Sequence, residues 1–195
     1  MRVLLIHCHP VPESFGAAVR DAARRGLERA GHEVDLIDLY DEGFQPVMSA
    51  QERRDYHTPG LNRVNVADHL DRVKRAQALV LVYPTWWYGP PAMLKGWLDR
   101  VLVPYETFGM PKPYGMLERH LTQVRVLALV TTLGSPWWWW RWIGQPGRKL
   151  LAAGIGGIIH PRARHLWLAL HAMDSAGEAK RRRFLERVEA RFARL

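Results

Sequence analysis

Short, continuous apolar runs alternate with longer stretches of helical spacing along the chain. Val3-Leu4-Leu5-Ile6 and Ala78-Leu79-Val80-Leu81-Val82-Tyr83 show no polar alternation, as expected of parallel strands buried on both faces. Val34 to Leu39, Val124 to Val130 running into Thr131-Thr132, and Leu166 to Leu170 give three more strands. A helix is predicted from Ser14, with Phe15, Ala18, Val19, Ala22, Ala23 and Leu27 on one side and Gly31 at its end. Others are predicted over Asn62 to Ala76, about Pro91 to Val103, and near Gly147 to Ala153. A last one carries Phe184, Leu185, Val188 and Phe192. Ser49-Ala50-Gln51-Glu52 has the form of a capped helix start within the irregular stretch 41–59. Together these elements predict one α/β domain over residues 1–195, a doubly wound five-stranded parallel sheet with helices on both faces. Ligands bind such sheets beyond the carboxyl ends of the strands, where strand order reverses. The loops after strands one, three and four are therefore where chemistry is expected.

The first of these loops, His9-Pro10-Val11-Pro12-Glu13-Ser14-Phe15-Gly16, puts a hydroxyl at a helix N-cap, where free N–H groups and the positive dipole end favour a phosphate. Ser14 as a phosphate contact and Ser14 as a cap alone are both open on this loop. The second, Pro84-Thr85-Trp86-Trp87-Tyr88-Gly89-Pro90-Pro91, sets three consecutive aromatics beyond a buried strand. A planar aromatic ligand gives them a reason, and a satellite apolar cluster is the alternative. Metal binding by His7-Cys8-His9 is not expected, because alternation sends Cys8 to the face opposite the two histidines.

Composition narrows the class. Apolar residues make up 48% and charged residues 24% of the 195, which excludes disordered and collagen-like chains and leaves a soluble globular protein. No stretch approaches the length of a membrane span and no signal-peptide pattern is seen, so a cytoplasmic setting is expected. Cys8 is the single cysteine, so no internal disulfide forms. Lys and Arg exceed Asp and Glu by 28 to 19, a net +9 that suits anionic partners. Residues 175–195 hold seven basic and three acidic side chains, read first as the solvated face of the last helix.

His9-Pro10-x-Pro12-x-Ser14-Phe15, Pro84-x-x-Trp87-Tyr88-Gly89-x-Pro91-Ala92-x-Leu94-Lys95-Gly96-Trp97-Leu98-Asp99-Arg100 and Thr131-Thr132-Leu133-Gly134 resemble the flavodoxin-like NAD(P)H:quinone oxidoreductase family. The resemblance runs in order over about residues 1–135. It implies a flavodoxin-like sheet of order 2-1-3-4-5, a flavin cofactor, FMN or FAD, and NAD(P)H as electron donor. It makes His9, Ser14 and Phe15, with Gly16 beside them, contacts to the flavin's phosphate and ribityl portion. Pro84, Thr85, Trp86, Trp87 and Tyr88 would lie along the isoalloxazine ring. Thr131, Thr132, Leu133 and Gly134 would form the loop closing on its pyrimidine edge. The sequence departs from the family pattern at Gly16, where Asn is common, and at Leu133, where the family has Gly. It also has no counterpart of the Tyr and His that handle charge in the animal enzymes, so no acid–base residue is assigned. Lys95 and Arg100 are expected to be structural, with Gly96 at a close packing contact, Asp99 and Arg100 in local pairs, and Trp97 in the core.

Five of the nine tryptophans fall within 137–142. They could wall a quinone or aromatic-substrate pocket, sit in a homodimer interface, or meet membrane headgroups beside Arg141 and Arg148. Gly154-Ile155-Gly156-Gly157 lacks dinucleotide-fingerprint spacing and is expected to soften the turn before the fifth strand. His160, His165 and His171 are expected at the surface or hydrogen-bonded. The favoured function is NAD(P)H-dependent reduction of quinones or related electrophiles by ping-pong hydride transfer. A flavin-keeping regulatory subunit docked to a membrane transporter, such as a potassium efflux system, is the second reading. Binding of nucleic acid or anionic membrane by the C-terminal basic face is the third, and no nucleic-acid motif supports a nucleic-acid partner.

Overall fold

The computed structural model describes residues 1–110, 115 and 117–195. Five strands, β1 (Arg2–His7), β2 (Glu33–Asp38), β3 (Ala78–Pro84), β6 (Val126–Thr132) and β7 (Arg164–Leu170), form one parallel sheet in the order β2-β1-β3-β6-β7. This is the expected 2-1-3-4-5 arrangement, with the reversal of strand order beside β1 and β3. A separate antiparallel pair, β4 (Phe108–Gly109) and β5 (Glu118–Arg119), lies in the connection before β6.

Alternation along the buried strands feeds two apolar layers. Val3, Leu5, Val80, Val82, Ala128 and Val130 face α1 (Phe15–Arg29) and α7 (Glu178–Phe192). Leu4, Ile6, Leu79, Leu81, Leu127 and Leu129 face the other layer, built from α3 (Ala67–Arg75), α4 (Ala92–Val101) and α6 (Pro146–Gly156). Each large aliphatic side chain so buried contributes about 1.5–3 kcal/mol. Two short helices, α2 (Ala50–Asp55) and α5 (Trp137–Trp142), complete the set. α2 starts with the expected capping box, Ser49 Oγ accepting from the Glu52 N–H at 3.1 Å while the Glu52 carboxylate accepts from the Ser49 N–H at 2.8 Å.

Four local expectations are corrected. The fourth strand starts at Val126 rather than Val124, and it ends at Thr132 as expected. The helix expected from Asn62 is a 3₁₀ turn at Val64–Val66 followed by α3. Gly154 and Gly156 lie inside α6 instead of softening a turn after it. Arg100 reaches past Asp99 to the Glu52 carboxylate, a pair separated by 48 residues, and lies 5.2 Å from the Phe44 ring centroid. Asp99 pairs with Lys95 at 2.6 Å.

Together with Arg100, Gly96 clamps the irregular stretch 41–59 to α4, because a Cβ there would lie 2.2 Å from the Pro46 carbonyl oxygen. Trp97 is fully buried and donates its indole N–H to His69 Nδ1 at 3.1 Å. Cys8 is buried, and burial pushes its thiol up to about 12.

Burial also lowers the affinity of His7, His69 and His171 for a proton below the ordinary value of 6.5. The unfolded chain then binds more protons than the folded one as pH falls below 6.5, so stability must drop in that direction. Thermal melts at about pH 7.5 and about pH 5 should show a lower Tm at the acidic value; an unchanged or higher Tm would contradict the burial of these imidazoles as neutral rings.

Candidate functional site

Parallel register brings the ends of β1, β3 and β6 to one edge. His7 pairs with Val82, Tyr83 with Thr131 and Pro84 with Thr132, and the Cys8 N–H donates to the Val82 carbonyl at 3.0 Å. The three loops singled out in the sequence therefore leave the sheet side by side.

In the first loop, Ser14 is the N-cap of α1 and its Oγ accepts from the Ala17 N–H at 3.2 Å. The Phe15 and Gly16 N–H groups find no acceptor among the described residues. The first turn of α1 carries no acidic residue. A helix of 15 residues thus starts in free donors with no carboxylate in its first turn, electrostatics that favour an anion. His9 folds back on its own loop, its Nδ1 accepting from the Val11 N–H at 3.1 Å. Its ring meets Trp86 of the second loop edge-on at 6.3 Å. A Cβ at Gly16 would lie 3.4 Å from the His9 ring and from Ser14 Oγ, so the missing side chain leaves loop one open without disturbing it.

The second loop is a tight turn. Trp86 and Gly89 exchange both backbone hydrogen bonds, at 3.1 and 3.0 Å, and between them Trp87 and Tyr88 have φ of 48° and 62°. Two successive positive φ values are those of a type I′ turn, for which Asn-Gly or Gly-Gly is the usual choice. Two aromatics in that conformation carry strain of order 1–2 kcal/mol each. The turn aims the Trp87 and Tyr88 N–H groups away from the loop, and neither finds an acceptor among the described residues. Trp87 is 96% exposed, so its side chain has no packing that would account for the strain. Tyr88 is tied instead, its hydroxyl accepting from Trp139 Nε1 of α5 at 2.9 Å. α6 supports the turn from behind, since a Cβ at Gly147 would lie 2.8 Å from the Tyr88 carbonyl oxygen.

The third loop joins the second through Thr85, whose N–H donates to the Thr132 carbonyl at 2.8 Å and whose Oγ1 lies 2.9 Å from Thr131 Oγ1. The Thr131 side chain is buried, so it acts through Thr85 and not at the surface of the site. Leu133 is also buried; its N–H donates to the Leu170 carbonyl at 2.9 Å and its own carbonyl accepts from Met173. Leu133 therefore has no free donor, and ligand donors at this edge fall to Gly134 and Ser135. A Cβ at Gly134 would come within 2.6 Å of the Asp174 carboxylate. A cavity of about 240 Å³ is lined by Thr85, Trp87, Tyr88, Leu133, Gly134 and Ser135. A second, of about 430 Å³, takes in His9, Pro10 and Pro12 with Arg20, Arg24, Asp21, Asp38 and Asp41, and Arg20 pairs there with Asp21 and Asp38. Gly147 and Asp174 carry no signal in the sequence, because each reaches the site through a contact between distant segments, whereas Trp139 belongs to the tryptophan cluster and reaches it through Tyr88.

A family profile described as the flavodoxin-like fold matches residues 1–151. The chain belongs to the flavodoxin-like fold family. Within it, a Haemophilus influenzae protein described as an uncharacterized NAD(P)H oxidoreductase is 37% identical over 103 residues, 52% of this chain and 50% of that protein. The human ribosyldihydronicotinamide dehydrogenase [quinone] is 29% identical over 150 residues, 69% of this chain and 64% of that protein. The matches thus span about half to just under two thirds of these curated relatives. Among solved structures of the fold, Smu.1420 from Streptococcus mutans superposes over the whole of both chains with a TM-score of 0.86 at 28% identity. An NAD(P)H:quinone oxidoreductase from Methanothermobacter marburgensis superposes with a TM-score of 0.81 at 24% identity over 99% of this chain and 94% of that one, a likeness of fold.

The support of the turn by α6 can be tested with two alanines on the same helix. Gly147→Ala should lower unfolding stability by about 1–3 kcal/mol through the clash with Tyr88. Gly154→Ala, with open space around its Cβ, should raise it by about 0.5–1 kcal/mol. Denaturant unfolding that moves both variants the same way would contradict the contact.

Proposed function

We propose that this chain holds a flavin, FMN or FAD, across the three loops and uses it to reduce quinones or related aromatic electrophiles with NAD(P)H. The observation that carries the reading is the strained Trp86 to Gly89 turn. It spends backbone energy to present two free amides and an exposed indole beside a helix N-terminus that has its own free amides. Ligands that combine a planar ring with a phosphate fit that pairing. The names of the relatives, NAD(P)H oxidoreductase and ribosyldihydronicotinamide dehydrogenase [quinone], favour the same chemistry. We read residues 1–195 as one functional unit, working in the cytoplasm.

The residues divide the work. Ser14 with the Phe15 and Gly16 amides would receive the phosphate, and Gly16 leaves room beside His9 for the chain that follows it. Pro84, Thr85, Trp86, Trp87 and Tyr88 would lie along the ring. The Trp87 and Tyr88 amides and the Thr85 hydroxyl are the donors for its polar edge. The Gly134 amide, on the strand extension of Thr131 and Thr132, would serve the pyrimidine edge. Donors fixed before the reaction stabilise negative charge as it develops, which is what a reduced cofactor needs from its protein. Bound flavin would supply the redox chemistry, accepting hydride from NAD(P)H and returning it to the acceptor. Donor and acceptor would use one face in turn, a ping-pong order, at the crevice that the exposed Trp87 borders. Trp86 and Trp87 would exclude water from that face. A second copy of the chain would complete its outer wall.

Purified chain mixed with FMN or FAD should acquire a bound flavin absorbance band, and NADPH or NADH added under anaerobic conditions should bleach it. The proposal fails if neither flavin binds, or if the bound flavin is bleached by neither nucleotide.

A further inference from the structure

No carboxylate occurs in the sequence between Glu118 and Asp174, and within that stretch residues 137–149 hold five tryptophans with Arg141, Arg148 and Lys149. Of those five indoles only Trp140 is fully buried, stacked on Trp167 with ring centroids 6.2 Å apart. Trp138 and Trp142 are 57% and 74% exposed. They join Trp139 in one aromatic patch, with centroid separations of 6.0 and 4.9 Å. Trp139 extends the patch to the second loop through its hydrogen bond to Tyr88. Arg141 lies between the two exposed indoles in sequence, and Lys149 Nζ lies 3.6 Å from the Cβ position of Gly144, two residues beyond Trp142. Both cations are exposed, and neither forms an ion pair among the described residues.

We infer that α5 and the start of α6 dock this protein on an anionic lipid surface. Indoles settle at the headgroup level, where the ring is shielded from water and the N–H stays solvated, and unpaired cations at the rim are drawn to anionic headgroups. Charge selects this occupant over a second copy of the chain. An isologous contact through the patch would gather two copies each of Arg141 and Lys149 into one interface, with no carboxylate from residues 119–173 to pair with them. The docking does not rest on the proposed function.

The test is sedimentation of the full chain with phosphatidylcholine vesicles, with and without phosphatidylglycerol, together with tryptophan emission, each with and without added flavin. Binding is expected only to the phosphatidylglycerol vesicles, with a blue shift of emission, whether or not flavin is bound. Each basic residue near such a surface strengthens binding by about fivefold, so Arg141→Glu with Lys149→Glu should weaken it by about 25-fold or more. Trp138→Ser with Trp142→Ser should weaken it as well, with unchanged circular dichroism. The inference is overturned if the phosphatidylglycerol vesicles leave the protein in solution, or if neither double variant alters binding. It is equally overturned if Trp138→Ser with Trp142→Ser turns a vesicle-free dimer into a monomer, which would make the patch a contact between copies. Loss of vesicle binding with flavin bleaching intact refutes the docking alone, and the reverse refutes the proposed function alone.

Discussion

β3 is the element on which the rest of the molecule depends. All seven of its residues, Ala78 to Pro84, are buried, and it is hydrogen-bonded along both edges, to β1 and to β6. A strand with no exposed face and no free edge has one register available, because a slip by one residue would exchange every side chain between the two apolar layers. That register fixes where the chain leaves the sheet after Pro84. It also sets the ends of β1 and β6 on either side, so three loops far apart in sequence become neighbours, and contacts such as His9 with Trp86 and Thr85 with Thr132 then join them.

Local strain is held in place by this frame. The Trp86 to Gly89 turn is gripped by the sheet through Thr85 and Thr132, by α5 through Tyr88 and Trp139, and by α6 through Gly147. Those contacts over-determine a backbone conformation that two aromatics would not adopt alone. The return for the fold is small, since Trp87 is almost wholly exposed. For the proposed ligand the return would be larger: two amides and a ring edge fixed in advance, so that little ordering is left for the binding step.

Most of the sheet was legible in the sequence because a strand buried on both faces writes an unbroken apolar run. The caps at Ser14 and Ser49 were legible because their residue types act locally. What was not legible depends on distant partners. The β4 and β5 pair is two residues per strand, too short to leave a period. α5 is nearly all tryptophan, so no apolar face stands out from a polar one, and its amphipathic character exists only as the burial of Trp140 against the exposure of Trp138 and Trp142. Arg100 was given a neighbour as partner when its partner is Glu52, across the chain. The turn itself gave the wrong signal, since Trp-Tyr is among the least suited pairs for left-handed backbone. The site loops were located by their place after the strands and by family resemblance; their free amides and the buried state of Thr131 and Leu133 needed coordinates.

In the proposed function, the strain in the second loop is maintained for a ligand. The direct measurement is a paired one on Trp87→Asn: unfolding stability without ligand, and affinity for flavin. Asn accepts the left-handed conformation and the replaced indole packs against almost nothing, so stability should rise by about 1 kcal/mol while flavin affinity falls. A variant that loses stability, or that binds flavin as tightly as the parent, would contradict the claim.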